Sequence, residues 1–144
     1  MPLENFGSIL NFAEELESQD QEFYAAAAAN PACAPCRVLF AELADEAGRN
    51  IVTVQRIRRE NVTEMILEPV QDFKRAGFCE ICEAAATLSV AEALETATRL
   101  EARADRYYWE AAEKLKALTE VSRALKTLGK NRKAHIARLM NVKR

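Results

Sequence analysis

Only four glycines and four prolines occur among 144 residues, so the chain has few places to interrupt a helix. Ala, Glu, Leu, Arg and Lys dominate instead, a balance that favours helix throughout. No apolar run reaches 18 residues, which excludes a membrane-spanning helix. The start, MPLENFGS, has no basic stretch leading into an apolar one, so no signal peptide is visible and a reducing cytoplasm is expected. With 49% hydrophobic and 29% charged residues, the chain reads as one soluble domain with a real core.

A net charge of −2 conceals an uneven distribution: residues 1–30 carry six acidic and no basic side chains, residues 119–144 eight basic and one acidic. A basic tail fits nucleic acid, but no aromatics interleave it and the overall charge is slightly negative, so nucleic acid is not expected as a partner. The expected arrangement is an acidic first helix lying beside a basic last helix.

Apolar residues at helical spacing (Phe6, Ile9, Leu10, Ala13, Leu16, Phe23, Tyr24) predict a first helix from about Leu3 to Ala29, ended by Asn30-Pro31. Pro35 fits the first turn of a second helix, with Leu39, Leu43, Ala47, Val54 and Ile57 on one face and an end near Leu67. SVAE, Ser89 to Glu92, has the capping-box form and opens a third helix running to about Lys116. A fourth runs from about Thr119 to the end, with Leu125, Leu128, Leu139 and Val142 inward. Two short connections make two antiparallel hairpins. The middle connection, residues 68–87, spans roughly 66 Å when extended, enough to return along a second helix of roughly 45 Å. The fold expected is an all-α four-helix bundle of two hairpins joined by a long crossover.

Two CxxC pairs, Cys33/Cys36 and Cys79/Cys82, lie in the connections. In a reducing compartment such pairs more often bind metal or work in redox chemistry than form structural disulfides. A crossover returning to the first hairpin turn would bring all four together.

The hairpins look like copies. ESQDQEFY (Glu17 to Tyr24) matches EARADRYY (Glu101 to Tyr108), a carboxylate seven residues before a tyrosine, at an offset of 84. Leu43, Ala47, Asn50 and Val54 align with Leu128, Arg132, His135 and Leu139 at an offset of 85. Glu17, Glu101, Asn50, Arg132 and His135 all fall on apolar stripes and should meet at one level in the interior. Buried charge needs partners or a metal. The choices are an ion-pair network of Glu17 and Glu101 against Arg132 with His135, or a carboxylate–histidine metal site.

The paired Glu-x6-Tyr segments, in duplicated hairpins joined by a crossover, resemble the rubrerythrin branch of the ferritin-like superfamily, and LFAELADEAGRN is similar to that family's second helix. The resemblance implies two irons held by one Glu on each of helices one and three and a Glu-x-x-His on each of helices two and four, used in peroxide or oxygen chemistry. Glu17, Glu101 and His135 match those ligands, with Tyr24 and Tyr108 beside them. Ala47, Asn50 and Arg132 stand where a Glu, a His and a bridging Glu would be. An ordinary di-iron centre is therefore not expected, while a single metal on Glu17, Glu101 and His135 stays open. Glu46 points about 100° away from Ala47 and is a weak substitute. The family also implies a homodimer and a redox partner protein. Neither CxxC pair has the following glycine of a rubredoxin knuckle; four thiolates still suit zinc or a single iron. The alternatives are two thiol–disulfide pairs, with a thiol activated at a helix start, and a structural bundle stapled by zinc.

Overall fold

In a computed structural model, which describes residues 5–61, 73, 75–79 and 85–142, the chain is helical, with no strand among the described residues. The long helices are α1 (Phe6–Ala29), α2 (Arg37–Glu60), α3 (Val90–Lys114) and α4 (Thr119–Met140). Short 3₁₀ turns cover Pro31–Cys36, Arg75–Phe78 and Ala85–Thr87.

Local chemistry sets the ends. Asn5 is extended and caps α1: its Oδ1 accepts from the Ser8 N–H at 2.9 Å, and Ser8 Oγ accepts from the Asn5 N–H at 3.2 Å. The helix thus starts at Phe6, three residues later than expected. After Asn30-Pro31 the chain makes a 3₁₀ turn in which Cys33 leaves the helical region (φ −100, ψ 15), so α2 opens at Arg37 and not in the turn of Pro35. α2 ends at Glu60, where Asn61 leaves the helical region (φ −119, ψ 25) and its side-chain amide caps the Ile57 carbonyl at 2.9 Å. The expected extension to Leu67 beyond Asn61 lies outside the described residues. Ser89 and Glu92 form the expected capping box at the start of α3.

Cross-helix bonds fix the directions. Gln55 donates to Glu14 (2.8 Å) and Arg58 to Asn11, so α1 and α2 are antiparallel. Ser122 donates to the Ala112 carbonyl (2.9 Å) while His135 meets Glu101 (3.2 Å), so α3 and α4 are antiparallel too. α1 also runs against α3 (Tyr24 to Glu101, Tyr107 to the Ile9 carbonyl), and α2 against α4 (Arg138 to Glu42). The ring order is therefore α2, α1, α3, α4. This corrects the expectation of an acidic α1 alongside a basic α4: the two are diagonal and meet across the interior through Arg132. Gly129 lets α4 close on α3, since a Cβ there would stand 3.1 Å from Trp109 Nε1.

The anticipated inward residues are buried, with Leu39 and Val142 only partly so; Phe40, absent from that stripe, is fully buried and stacks on Tyr24. The apolar core is in two parts. One, around Phe6, Leu10, Leu16, Tyr107 and Leu125, fills the end where α1 begins. The other, around Phe23, Phe40, Leu43, Leu94 and Leu139, fills the end where α1 turns into α2, and it includes Cys33 and Cys36. A layer of charged side chains lies between them.

At the Cys33/Cys36 end, the buried Asn30 amide donates to the Ala85 carbonyl (2.9 Å) and the Leu88 carbonyl (2.8 Å). One side chain thus ties the first hairpin turn to the approach of α3. Asn30→Ala leaves the Leu88 carbonyl unpaired and the Ala85 carbonyl with only the Leu88 N–H at 3.4 Å, and should lower the unfolding free energy by about 1–3 kcal/mol. Urea unfolding measures this, and a change of a few tenths would show that the tie carries no load.

Candidate functional site

Helical geometry assembles the charged layer. On α1, Glu17, Asp20 and Tyr24 recur at three- and four-residue steps and share one inward stripe. On α3, Glu101 and Tyr108 do the same two turns apart, and on α4 Arg132 and His135 are three apart. All seven side chains are buried, Glu17 and Asp20 completely.

Arg132 is at the centre. Its Nη2 lies 2.5 Å from Glu17 Oε1, and its Nη1 lies 2.9 Å from Asp20 Oδ2 and 3.0 Å from Glu101 Oε1. One guanidinium therefore touches three carboxylates on two other helices. Asp20 also accepts from Arg103 Nη2 at 2.8 Å, and Arg103 Nη1 donates to the Phe78 carbonyl at 3.0 Å, one residue before Cys79. Arg106 donates to the Gly77 carbonyl at 2.9 Å. The layer is thus linked through Arg103 to the segment that carries Cys79.

Around this centre the contacts follow a pseudo-two-fold. Tyr24 donates to Glu101 Oε1 (2.6 Å) and Tyr108 donates to Glu17 Oε2. Asn50 donates to Glu17 Oε1 (3.3 Å), and its repeat counterpart His135 meets Glu101 Oε2 through Nδ1 (3.2 Å). Reciprocal pairing of equivalent residues is what a two-fold axis requires. The symmetry breaks at 47 and 132: Ala47 is buried and small, whereas Arg132 reaches the middle. His135 Nε2 also meets Glu46, whose half-buried side chain comes in from the flank. Glu46, set aside on spacing, is therefore in contact after all, because a long side chain spans the angular offset.

Burial and charge shape the titration. Burial pushes Asp20 from 3.8 up to about 7; the guanidiniums of Arg132 and Arg103 oppose this, and the Glu17 and Glu101 carboxylates reinforce it. Glu101 is also pushed up by burial, but Arg132, His135 and the Tyr24 hydroxyl together bring it below the usual range. Burial and the adjacent carboxylates hold both tyrosine phenols well above theirs. Burial opposes the charge on Arg132, yet Glu17, Glu101 and Asp20 keep the guanidinium firmly protonated. Three carboxylates face two guanidiniums, and a proton on Asp20 brings those charges into balance.

The cysteines divide. Cys33 and Cys36 are buried in the apolar cluster at the hairpin turn, Cys79 is exposed, and Cys82 lies outside the described residues. Burial raises both Cys33 and Cys36, the reverse of the activation expected for a thiol at a helix start. Among the described residues, no group of three or more His, Cys, Asp and Glu side chains is placed to hold a metal ion. The donor set at the centre fits a metal poorly, because a permanent cation already sits among the carboxylates a metal would need.

No family model, curated protein or solved structure matches the chain. Residues singled out from sequence nevertheless meet here: Glu17, Glu101, Arg132, His135, Asn50, Tyr24 and Tyr108 form one connected cluster. Asp20 was missed although it falls on the stripe Ala13, Glu17, Tyr24. Arg103 was missed because it stands two residues from Glu101, off that stripe.

The titration of Asp20 gives a signed pH dependence. Its folded value exceeds its unfolded one, so the folded state binds the proton more tightly, and stability declines as pH rises from about 4 to about 7. Between pH 5.5 and 7.5 this group should remove on the order of 2 kcal/mol. Asp20→Asn should flatten that decline in urea unfolding. An unchanged slope in the variant would mean that Asp20 is ionised throughout.

Proposed function

We propose that this chain is a rubrerythrin-like bundle of the ferritin type whose working metal, zinc or a single iron, is held by Cys33, Cys36, Cys79 and Cys82. The observation that carries this reading is the pair of hydrogen bonds that the Asn30 amide donates to the Ala85 and Leu88 carbonyls. It fastens the turn that bears Cys33 and Cys36 to a point three residues beyond Cys82, and three residues extend no more than about 10 Å. In this reading the crossover, as in the ferritin-like connection, would carry the second thiol pair to the first. Arg103 and Arg106, bonded to the carbonyls of Phe78 and Gly77, steady the approach to Cys79.

Four thiolates form a closed tetrahedral set with no open position for substrate, which suits a structural zinc or an electron-carrying iron. A protein of this kind takes part in oxidoreductase chemistry only through a redox partner, and by the family resemblance it is a cytoplasmic homodimer. No helix among the described residues is long and apolar enough to cross a membrane. The Arg132 contacts speak against peroxidase or oxidase chemistry on an ordinary di-iron centre.

Elemental analysis of protein purified without chelator should find one zinc or iron per chain. Cys33→Ser and Cys79→Ser should each lose that metal, with a lower melting temperature; iron on thiolates would be coloured and zinc colourless. Metal retained in Cys79→Ser would refute the shared site, and about two irons per chain surviving cysteine removal would restore the di-iron reading.

A further inference from the structure

We infer that the Arg132 guanidinium is the resident cation of the bundle centre, standing in the place of a metal, and that the carboxylates around it remain a latent site for one divalent cation. This rests on reading the centre as derived from a carboxylate–histidine metal site and is independent of the cysteines.

The first argument is positional. Glu17, Glu101 and His135, which match metal ligands by sequence, are brought together at one level, and each touches another charged group of the layer. The group on which the carboxylates converge is the guanidinium. Its two terminal nitrogens reach three acids from α1 and α3 at 2.5 to 3.0 Å. It does for the helices what a cation would do, drawing α1 and α3 towards α4.

The second argument is symmetry. Tyr24, Glu101 and His135 are matched by Tyr108, Glu17 and Asn50 across a pseudo-two-fold. A bound ion on such an axis would be approached equally by both hairpins. Here the cation is supplied by one hairpin alone, and the equivalent position in the other is Ala47, buried and reduced to a methyl group. Arginines at both 47 and 132 would add a third buried guanidinium to a layer that already holds Arg103. The pair Ala47/Arg132 supplies one.

The third argument is charge. Without Arg132, the acids Glu17, Asp20 and Glu101 face only the Arg103 guanidinium, and the layer loses one of its two fixed positive charges. A divalent cation can take the place of that charge, with His135 available as a nitrogen donor. With Arg132 present, a second cation would meet a fixed positive charge in a buried site.

Mn²⁺ is a suitable probe, since carboxylate and imidazole hold it and thiolates do not select it. The signal of free Mn²⁺ in electron paramagnetic resonance counts the ions bound. Wild-type protein should take up no Mn²⁺ at the centre. Arg132→Ala should bind one per chain at least tenfold more tightly and gain melting temperature as Mn²⁺ is added; adding Glu101→Gln to that variant should remove both effects. Wild-type uptake that Glu101→Gln abolishes would overturn the inference, as would a folded Arg132→Ala protein that ignores Mn²⁺. Should Arg132→Ala fold only with Mn²⁺ present, the ion has replaced the guanidinium and the inference stands. A swap supplies an independent check: Ala47→Arg combined with Arg132→Ala should melt within a few degrees of wild type and bind no Mn²⁺. A swapped protein no more stable than Arg132→Ala alone would show that the cation does not serve both hairpins, and the inference would fall. Cysteine-bound metal is untouched by any of these outcomes.

Discussion

The contact between one guanidinium and three carboxylates governs how the four helices are arranged. Moving any of these ions from water into the interior costs several kcal/mol, and only close pairing with satisfied hydrogen bonds offsets that cost. Arg132 meets Glu17, Asp20 and Glu101; Tyr108, Arg103 and His135 engage the other oxygen of each carboxylate, and Tyr24 shares Glu101 Oε1 with Arg132. Such a layer tolerates little displacement. A shift of one helical turn between the hairpins would move the tyrosines off their carboxylates and leave buried charge unpaired. The two apolar clusters on either side supply the bulk of the burial, and apolar surface is indifferent to register. The charged layer supplies the register.

The ends of the bundle differ in kind. Where α1 begins, aromatic rings close the core: Phe12, Phe73 and Phe78 all contact Tyr107, and Arg106 lies over the Phe78 ring. Where α1 turns into α2, Phe23, Tyr24 and Phe40 pack with leucines, alanines and two thiols, and a single asparagine makes the long-range tie. Arg103 connects the two regions, with one nitrogen on Asp20 in the layer and another on the carbonyl before Cys79.

Much of this was legible in the sequence, for physical reasons. Apolar periodicity located all four helices, and the Ser89/Glu92 capping box fixed the start of α3 because both partners of that motif are local. The repeat offsets brought Glu17, Glu101, Asn50 and His135 to one level, since equal offsets in two helices leave little freedom in depth. What could not be read was lateral. Whether α1 lies beside α4 or diagonal to it depends on how two hairpins dock, and the charge imbalance of the chain ends pointed to the wrong choice. Arg103 and Glu46 reach their partners by side-chain length, which a stripe of Cα positions does not encode. The asparagine at the start of α1 was a missed signal: Asn5 with Ser8 caps as Ser89 with Glu92 does.

The reciprocal tyrosine bonds have one more consequence. Tyr24 and Glu101 are 77 residues apart, and Tyr108 and Glu17 are 91 apart, whereas each hairpin closes on its own through neighbours in the chain. Neither hairpin alone holds both halves of a tyrosine–carboxylate pair. The order of assembly is thereby constrained: hairpins can zip from their turns, but the layer completes only when the second docks on the first. Long-range closure of this sort is the slow part of acquiring a fold. The chain must therefore emerge beyond Tyr108 before the first hairpin can satisfy Glu17, and beyond Arg132 before its acids are neutralised.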